Sequence, residues 1–403
     1  MIINNEDKKA DLRFELNWQN NDIVHNDIFY SDYINFWRDC FPKPMHEALI
    51  NAKPGEKFQY NLKSGEYIPK YSSGHIHKLR PIQFDASSKI LKDNHPKNGR
   101  FYPKGLLRNM PGIYKQNMTP FRCLTADKDC LTVDFNHPLS DINIDVKVTL
   151  LKVNGKSNER GGSCMDWIET ITEGLGMQAR AYGKPTDFFS DHPFARIDSK
   201  DDGVFYEKPR LVGHIDRQAS QVVSGIYEKV LKPDMKVLDL MSSWQSHMPK
   251  GLKVRQLTGL GMNAVEMEKN PALNEYFVHD LNINPKLPFE NEIFDAVICT
   301  VSVEYLTKPF EVYREILRVL KPEGCLVVTF SNRWFPPKVI SIWKELHEFE
   351  RIGLVLEYFL QSKGFTDIHT QSVRGMPRPE DDEYAREVIY SDPVYAVWGS
   401  KKI

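Results

Sequence analysis

Several absences narrow the reading of this chain. Its six cysteines (Cys40, Cys123, Cys130, Cys164, Cys299, Cys325) are scattered and include no CxxC pair. That spacing argues against a zinc site and against a dense disulfide scaffold, so no metal ligands are expected. No apolar run approaches the ~20 residues needed to cross a bilayer. The opening "MIINNEDKKADLRF" lacks an apolar signal core, so a reducing, cytoplasmic setting without membrane contact is expected. Net charge is −1, and no global field favours nucleic acid or an anionic surface. There is no internal repeat and no low-complexity segment.

What remains is ordinary globular composition, 41% hydrophobic and 27% charged over 403 residues. That length points to two or three domains. Residues 1–28 are polar and Asn/Asp-rich, and read as a loose N-terminal arm or an edge strand. From 29 to 153 short strands alternate with turns. "GEKFQYNLKSGEY", "CLTVDFNHPL" and "INIDVKVTLLKV" each alternate apolar and polar residues. One helix fits "MHEALINAKPGE", and the whole reads as an antiparallel sheet or small barrel. Residues 154–213 read as a linker or connecting segment.

From 214 to 403 the pattern changes. "HIDRQASQVVSGIYEKVLKP" puts Ile215, Ala219, Val222, Val223, Ile226, Val230 and Leu231 on one helical stripe. Strands then fit 236–241, 254–260, 275–279, 294–301, 324–330, 365–373 and 393–399, with helices near 264–270, 309–320 and 337–361. Such alternation predicts a parallel sheet covered by helices, with ligands at the carboxyl ends of the strands.

Four of those strand ends carry candidate chemistry. The first gives Asp239 and then "MSSWQSHMPKG", where a nucleotide-binding sheet usually has glycines. The second gives "LTGLGMNAVEMEKNPAL", the third "HDLN" and the fourth "FDAVICTVSVEYL". In combination "KVLDL", "HDLN", "LPFENEIFDAVICTVSVEYL", "EILRVLKPEGCLVVTF" and the closing "PVYAVWGSKK" resemble the class I S-adenosylmethionine-dependent methyltransferases. The resemblance covers roughly 214–403. It implies a Rossmann-like seven-stranded sheet, with the last strand antiparallel, and S-adenosyl-L-methionine as cofactor. It also implies cofactor contacts at Asp239, Ser242, Ser243, Gly261, Met262, Asn263, Asp280, Leu281, Thr300 and Val301.

Two departures stand out. Serines, Trp244 and Gln245 replace the glycines of the first loop. Gly261 stands where an acid usually holds the ribose, with Asn263 and Glu266 the nearest polar candidates. A loop this dense in hydrogen-bonding groups suits a retained but divergent site; a polar surface loop is the alternative. Methyl transfer needs alignment, and a base when the nucleophile carries a proton. Glu304 and Tyr305 are the catalytic candidates, Glu304 as proton acceptor or else as a carboxylate at a helix N-terminus. Arg333, Trp334 and Phe335 are candidates for the acceptor wall. His247 reads as a base or a capping residue, and "RGMPRPEDDEYAREV" as a lid or a solvated loop.

In the first half, "FPKPMHEALINAKPGEKFQY", "GEYIPKY" and "CLTVDFNHPLSDINIDVKVTLLKV" resemble the FKBP-type, SlyD-like peptidyl-prolyl isomerases over roughly 38–153. The resemblance implies an antiparallel half-barrel, with Gly99–Cys130 as its flap and Tyr67 as a substrate-binding tyrosine. Phe84 matches an aromatic on the flap side. The combined expectation is a multidomain α/β plus β-rich chain. A half-barrel that binds or isomerises a proline-containing protein or peptide is joined to a methyltransferase. The alternative is a non-enzymatic folding or interaction protein with both sites degenerate.

Overall fold

The computed structural model of the protein describes residues 7–87, 95–156 and 159–403. Residues 1–6 of the expected arm and 157–158 of the expected linker lie outside them. The N-terminal part contains β1 (Lys8–Asn20), β2 (Ile23–Asn35), α1 (Lys43–Asn51), β3 (Lys57–Leu62), β4 (Ile76–Leu79), β5 (Phe101–Pro103), β6 (Pro120–Ala126), β7 (Leu131–Asp134) and β8 (Ile144–Lys156). Short helices α2 (Trp167–Thr172) and α3 (Asp202–Tyr206) follow. The second half begins with α4 (Arg217–Val230), β9 (Lys236–Leu240), β10 (Gln256–Gly261), α5 (Ala264–Glu268), β11 (Glu275–Val278) and β12 (Phe294–Thr300). It ends with α6 (Pro309–Val319), β13 (Leu320–Ser331), α7 (Ser341–Glu345), α8 (Glu348–Ser362), β14 (Phe365–Arg374) and β15 (Val394–Lys401).

The second half is a doubly wound sheet in the order β11-β10-β9-β12-β13-β15-β14. Pairing among β9 to β13 is parallel, while β15 is antiparallel to both its neighbours. All seven strands fall where the sequence predicts them. Parallel strands are buried on both faces and so read as apolar runs. The stripe on α4 packs as expected, with Ala219, Val223 and Ile226 buried over Val237, Leu257 and Ile298. The helix expected over 337–361 is two helices. His347 accepts from Phe349 N and the Glu350 side chain bonds back, so a capping box starts α8.

The first half departs from the half-barrel. Strands β2, β1, β8 and β3 continue the large sheet beyond β14, making eleven strands. Residues 8–35 are therefore a hairpin inside the sheet, not a loose arm or an edge. The junction is parallel, from Ile23 beside Ile368 to Phe29 beside Arg374. It buries a polar seam. His25 Nδ1 shares a hydrogen with Thr370 Oγ1 at 2.8 Å, and Asp27 accepts from Ser372 Oγ and from Arg374 Nε at 3.2 Å.

The remaining strands form a separate sheet, β4-β7-β6-β5. Phe84 lies in its core, edge-on to Tyr102 at 5.5 Å. This sheet docks on α8, where Arg100 and Glu350, both 2% exposed, form an ion pair of 3.3 Å. Helix α8 is buried nearly all round, as expected for a helix covered on both sides.

Candidate active site

A cavity of about 550 Å³ opens at the carboxyl ends of β9, β10, β11 and β12. Chain order reverses there, because β10 and β12 flank β9 on opposite sides. Backbone groups at strand ends are free to meet a ligand at such a point. All ten expected cofactor-side residues line it: Asp239, Ser242, Ser243, Gly261, Met262, Asn263, Asp280, Leu281, Thr300 and Val301. Tyr305, Arg333, Trp334 and Phe335 line it too. Glu304 and Tyr67 do not.

The glycine-poor loop after β9 has an internal order. Asp239 is buried, and its Oδ2 accepts from Ser242 Oγ at 2.7 Å and Ser246 Oγ at 2.6 Å. Burial nonetheless raises the Asp239 pKa to about 6. Ser243 Oγ donates to Glu266 Oε2 at 2.7 Å, and Asn270 Nδ2 donates to Ser243 O and Ser246 Oγ. The hydroxyl hydrogens of this loop are thus spent on folding it. Met241 and His247 adopt φ of +58° and +52°, the left-handed region that glycine usually fills. The loop makes the turn by straining two ordinary residues.

The absence of an acid at 261 has a steric cause. Ser242 N donates to Leu260 O at 2.8 Å. A Cβ at Gly261 would stand 2.1 Å from the Ser242 carbonyl oxygen. The loop presses on the end of β10 where a side chain would begin. Asn263 does not replace the acid: its Oδ1 caps α5 by accepting from Glu266 N, and its Nδ2 donates to Tyr206 O and Glu207 O. The carboxylate present at this end of the cavity is Glu266, whose Oε1 accepts from Arg210 N at 2.7 Å. On the third strand end, Asp280 Oδ1 accepts from Asn282 N at 2.7 Å.

The connecting segment turns out to be a wall of the site. Asp202, Tyr206, Arg210, Val212 and Gly213 all line the cavity, as does His214 just beyond it. Trp244 Nε1 donates to Val212 O at 3.0 Å, and the fully buried Lys338 ammonium contacts Asp202 at 2.9 Å and Asp198 at 3.1 Å. These bonds hold the segment against the strand ends. Arg210 lies on Phe205 at 4.4 Å and Phe335 at 5.3 Å, and its Nη1 is buried without a hydrogen-bond partner. Sequence reasoning missed Arg210 and His214. The available signal was position: α4 runs back along β9, so the residues just before it must cross the carboxyl edge of the sheet.

The acceptor side is aromatic. Tyr305 and Phe335 stack at 6.0 Å, and Phe335 N donates to Tyr305 OH at 2.8 Å. His214 meets Phe335 edge-on at 5.6 Å. Burial lowers the His214 pKa, which favours a neutral imidazole at neutral pH. His247 is lowered by burial to about 4 and shares a hydrogen with Ser220 through Nδ1, so it braces α4. Glu304 is the correction. It is 0% exposed, neither carboxylate oxygen has a partner, and burial raises its pKa to about 8. The short turn over Val303–Tyr305 sends it into the core while Tyr305 faces the cavity. Tyr67 is 38% exposed on the N-terminal part. The 374–388 segment does wall the site, through Glu383 and Tyr384. Arg217 and Asp381 pair across it at 2.8 Å.

Parts of this chain are similar to known proteins. The profile described as "Methyltransferase domain" matches residues 252–328. The matched stretch runs from β10 through α6 and into β13. The ubiquinone/menaquinone biosynthesis C-methyltransferase UbiE of Laribacter hongkongensis is 27% identical over 157 residues, 36% of this chain and 63% of that protein. Its counterpart from Chromobacterium violaceum is 26% identical over 174 residues, 42% of this chain and 69% of that one. The chain spans under two thirds of the first relative's length, and most of this chain lies outside the match. A solved S-adenosylmethionine-dependent methyltransferase from Mesorhizobium loti is 15% identical, covering 44% of this chain and 96% of that one at a TM-score of 0.31. An overlap that loose carries no argument. The profile and the two relatives support a methyltransferase domain in this part of the chain. Among the described residues no helix is long and apolar enough to cross a membrane.

Proposed function

We propose that this chain transfers a methyl group from S-adenosylmethionine to a small planar acceptor. The observation that carries the reading is the cavity at the β9 switch point, walled by four strand ends and by the 202–214 segment. Two features suit the cofactor. The Ser242 backbone is pressed against Gly261, leaving main chain rather than side chain at the floor. The orphaned Arg210 Nη1 lacks the anion that the cofactor's carboxylate would supply. Glu266 and Asp280 are then the acceptors for the ribose hydroxyls and the adenine amine. Thr300 and Val301 lie beside them at the end of β12.

When bound, the cofactor supplies an electrophilic methyl group on a sulfonium. The protein's part is alignment, exclusion of water and proton removal. Tyr305, Trp334 and Phe335 offer flat faces for a ring. Arg333 stands at the rim, 5.7 Å over Tyr384. A neutral His214 can take a proton at a ring nitrogen, which Glu304 cannot reach from the core. The names of the two relatives concern carbon methylation in quinone biosynthesis. An electron-rich hydroquinone carbon is accordingly the acceptor this reading favours, and the aromatic wall agrees with it.

A proline-peptide function for residues 29–153 is not part of this proposal. Three strands of that region, β3, β8 and most of β2, belong to the large sheet, and Phe84 is core. Incubation with methyl-labelled cofactor and a series of demethylated hydroquinones tests the reading. Label should enter the hydroquinone carbon with wild type and fall at least tenfold with His214→Ala. Cofactor that binds without labelling any hydroquinone would refute this acceptor class.

A further inference from the structure

Outside the cavity, two thiols meet at the surface. Cys40 follows β2 and Cys164 precedes α2, and their sulfurs are 3.4 Å apart. Both residues are exposed, whereas Cys123, Cys299 and Cys325 are buried and Cys130 is half-buried. The two chain segments are held side by side by main-chain bonds. Cys40 N donates to Met165 O at 2.8 Å, and Trp167 N donates to Cys40 O at 3.1 Å. Side chains reinforce them: Trp167 Nε1 donates to Asp39 Oδ2 at 3.1 Å, and Asp166 caps α2 through Ile168 N and Glu169 N. Arg38 reaches across to Gly161 O.

We propose that Cys40 and Cys164 are a reversible disulfide site. A disulfide needs the sulfurs at about 2.05 Å, so closure asks for an approach of little more than an ångström on a backbone already in place. With a low-molecular-weight disulfide as oxidant the chemistry balances. One protein thiolate attacks the reagent's sulfur–sulfur bond and expels a thiolate. The second protein sulfur then displaces the other, leaving one new disulfide and two reagent thiols. Two electrons pass from the protein to the reagent, and the two protons are released to water or taken up by the reagent thiolates.

The bond would close a long loop, since the cysteines lie 124 positions apart. That loop contains α1, β3, the whole four-stranded sheet and β8. Cross-links over long spans restrict the unfolded chain most. The bridge therefore acts on the stability of this 40–164 stretch, away from the cofactor cavity.

Full-length protein equilibrated with glutathione disulfide, quenched by alkylation and digested without reductant provides the test. The expected result is a peptide pair joined through Cys40 and Cys164 and a fall from six free thiols to four. Dithiothreitol should restore all six. The thermal midpoint should rise on oxidation in wild type and stay put in Cys40→Ser and in Cys164→Ser. Mixed disulfides with glutathione at either position without the joined peptide would overturn the proposal, as would loss of Cys130 in preference to this pair.

Discussion

Replacing Glu304 by glutamine isolates the cost of burying an acid with no partner. The carboxyl is fully enclosed, and its pKa rises from 4.5 to about 8 through burial, opposed by its own backbone amide and then by Arg351. Below pH 4.5 the group is protonated in both folded and unfolded chain and costs nothing. Between 4.5 and about 8 the unfolded chain loses the proton while the folded chain keeps it. Stability then falls as pH rises, by up to about 1.4 kcal/mol per pH unit. Above 8 both forms are ionised and the loss levels off near roughly 5 kcal/mol. Glutamine keeps the volume and cannot ionise, so its own buried amide adds an offset that does not vary with pH. Denaturant unfolding of both proteins from pH 5 to 9 should show wild type losing about 4 kcal/mol relative to Glu304→Gln. Other buried acids, Asp239 among them, cancel in the difference. A difference that stays flat across that range would refute the assignment of Glu304 to the core.

Three further outcomes follow from the same contacts. Gly261→Asp restores the acid that related sites carry, yet its Cβ meets the Ser242 carbonyl at 2.1 Å; cofactor affinity should fall at least tenfold in calorimetry, and a gain would show that the loop yields. Asp27→Ala leaves the Arg374 guanidinium without its carboxylate in the seam between β2 and β14. Denaturation should record a loss of roughly 3–5 kcal/mol, and less than about 1 kcal/mol would mean the seam is open to water. Arg210→Met keeps most of the packing on Phe205 and Phe335 but loses the orphaned nitrogen. It should weaken S-adenosylhomocysteine binding about tenfold while leaving the thermal midpoint of the unliganded protein within a few degrees.

The parallel core was legible because its inner strands are apolar on both faces; "KVLDL" and "FDAVICT" need no context. The hairpin of β1 and β2 was harder to see. Ala10, Leu12, Phe14, Leu16 and Trp18 are buried in strict alternation, but charged and amide residues between them gave the segment a polar look. Its partner strand β14 lies some 345 positions away, and nothing local encodes that pairing. Once β2 joins β14, the strands of the first half cannot close on themselves. The residue types of the site were legible at the strand ends. Their duties were not: Ser242, Ser243 and Asn263 looked like ligand groups and are engaged in holding the loop and α5. Glu304 and Tyr305 are neighbours in one short turn, and only the fold decides which of them faces the cavity. Arg210 and His214 belong to a stretch without periodicity, so position relative to α4 was the only clue.

The central claim is that the glycine-poor loop still frames a cofactor site. Titration calorimetry of the full-length protein with S-adenosylhomocysteine tests it most directly. One site per chain is expected, with affinity lowered at least tenfold by Glu266→Ala and by Asp280→Ala. No heat at millimolar ligand, or binding that both substitutions leave unchanged, would contradict it.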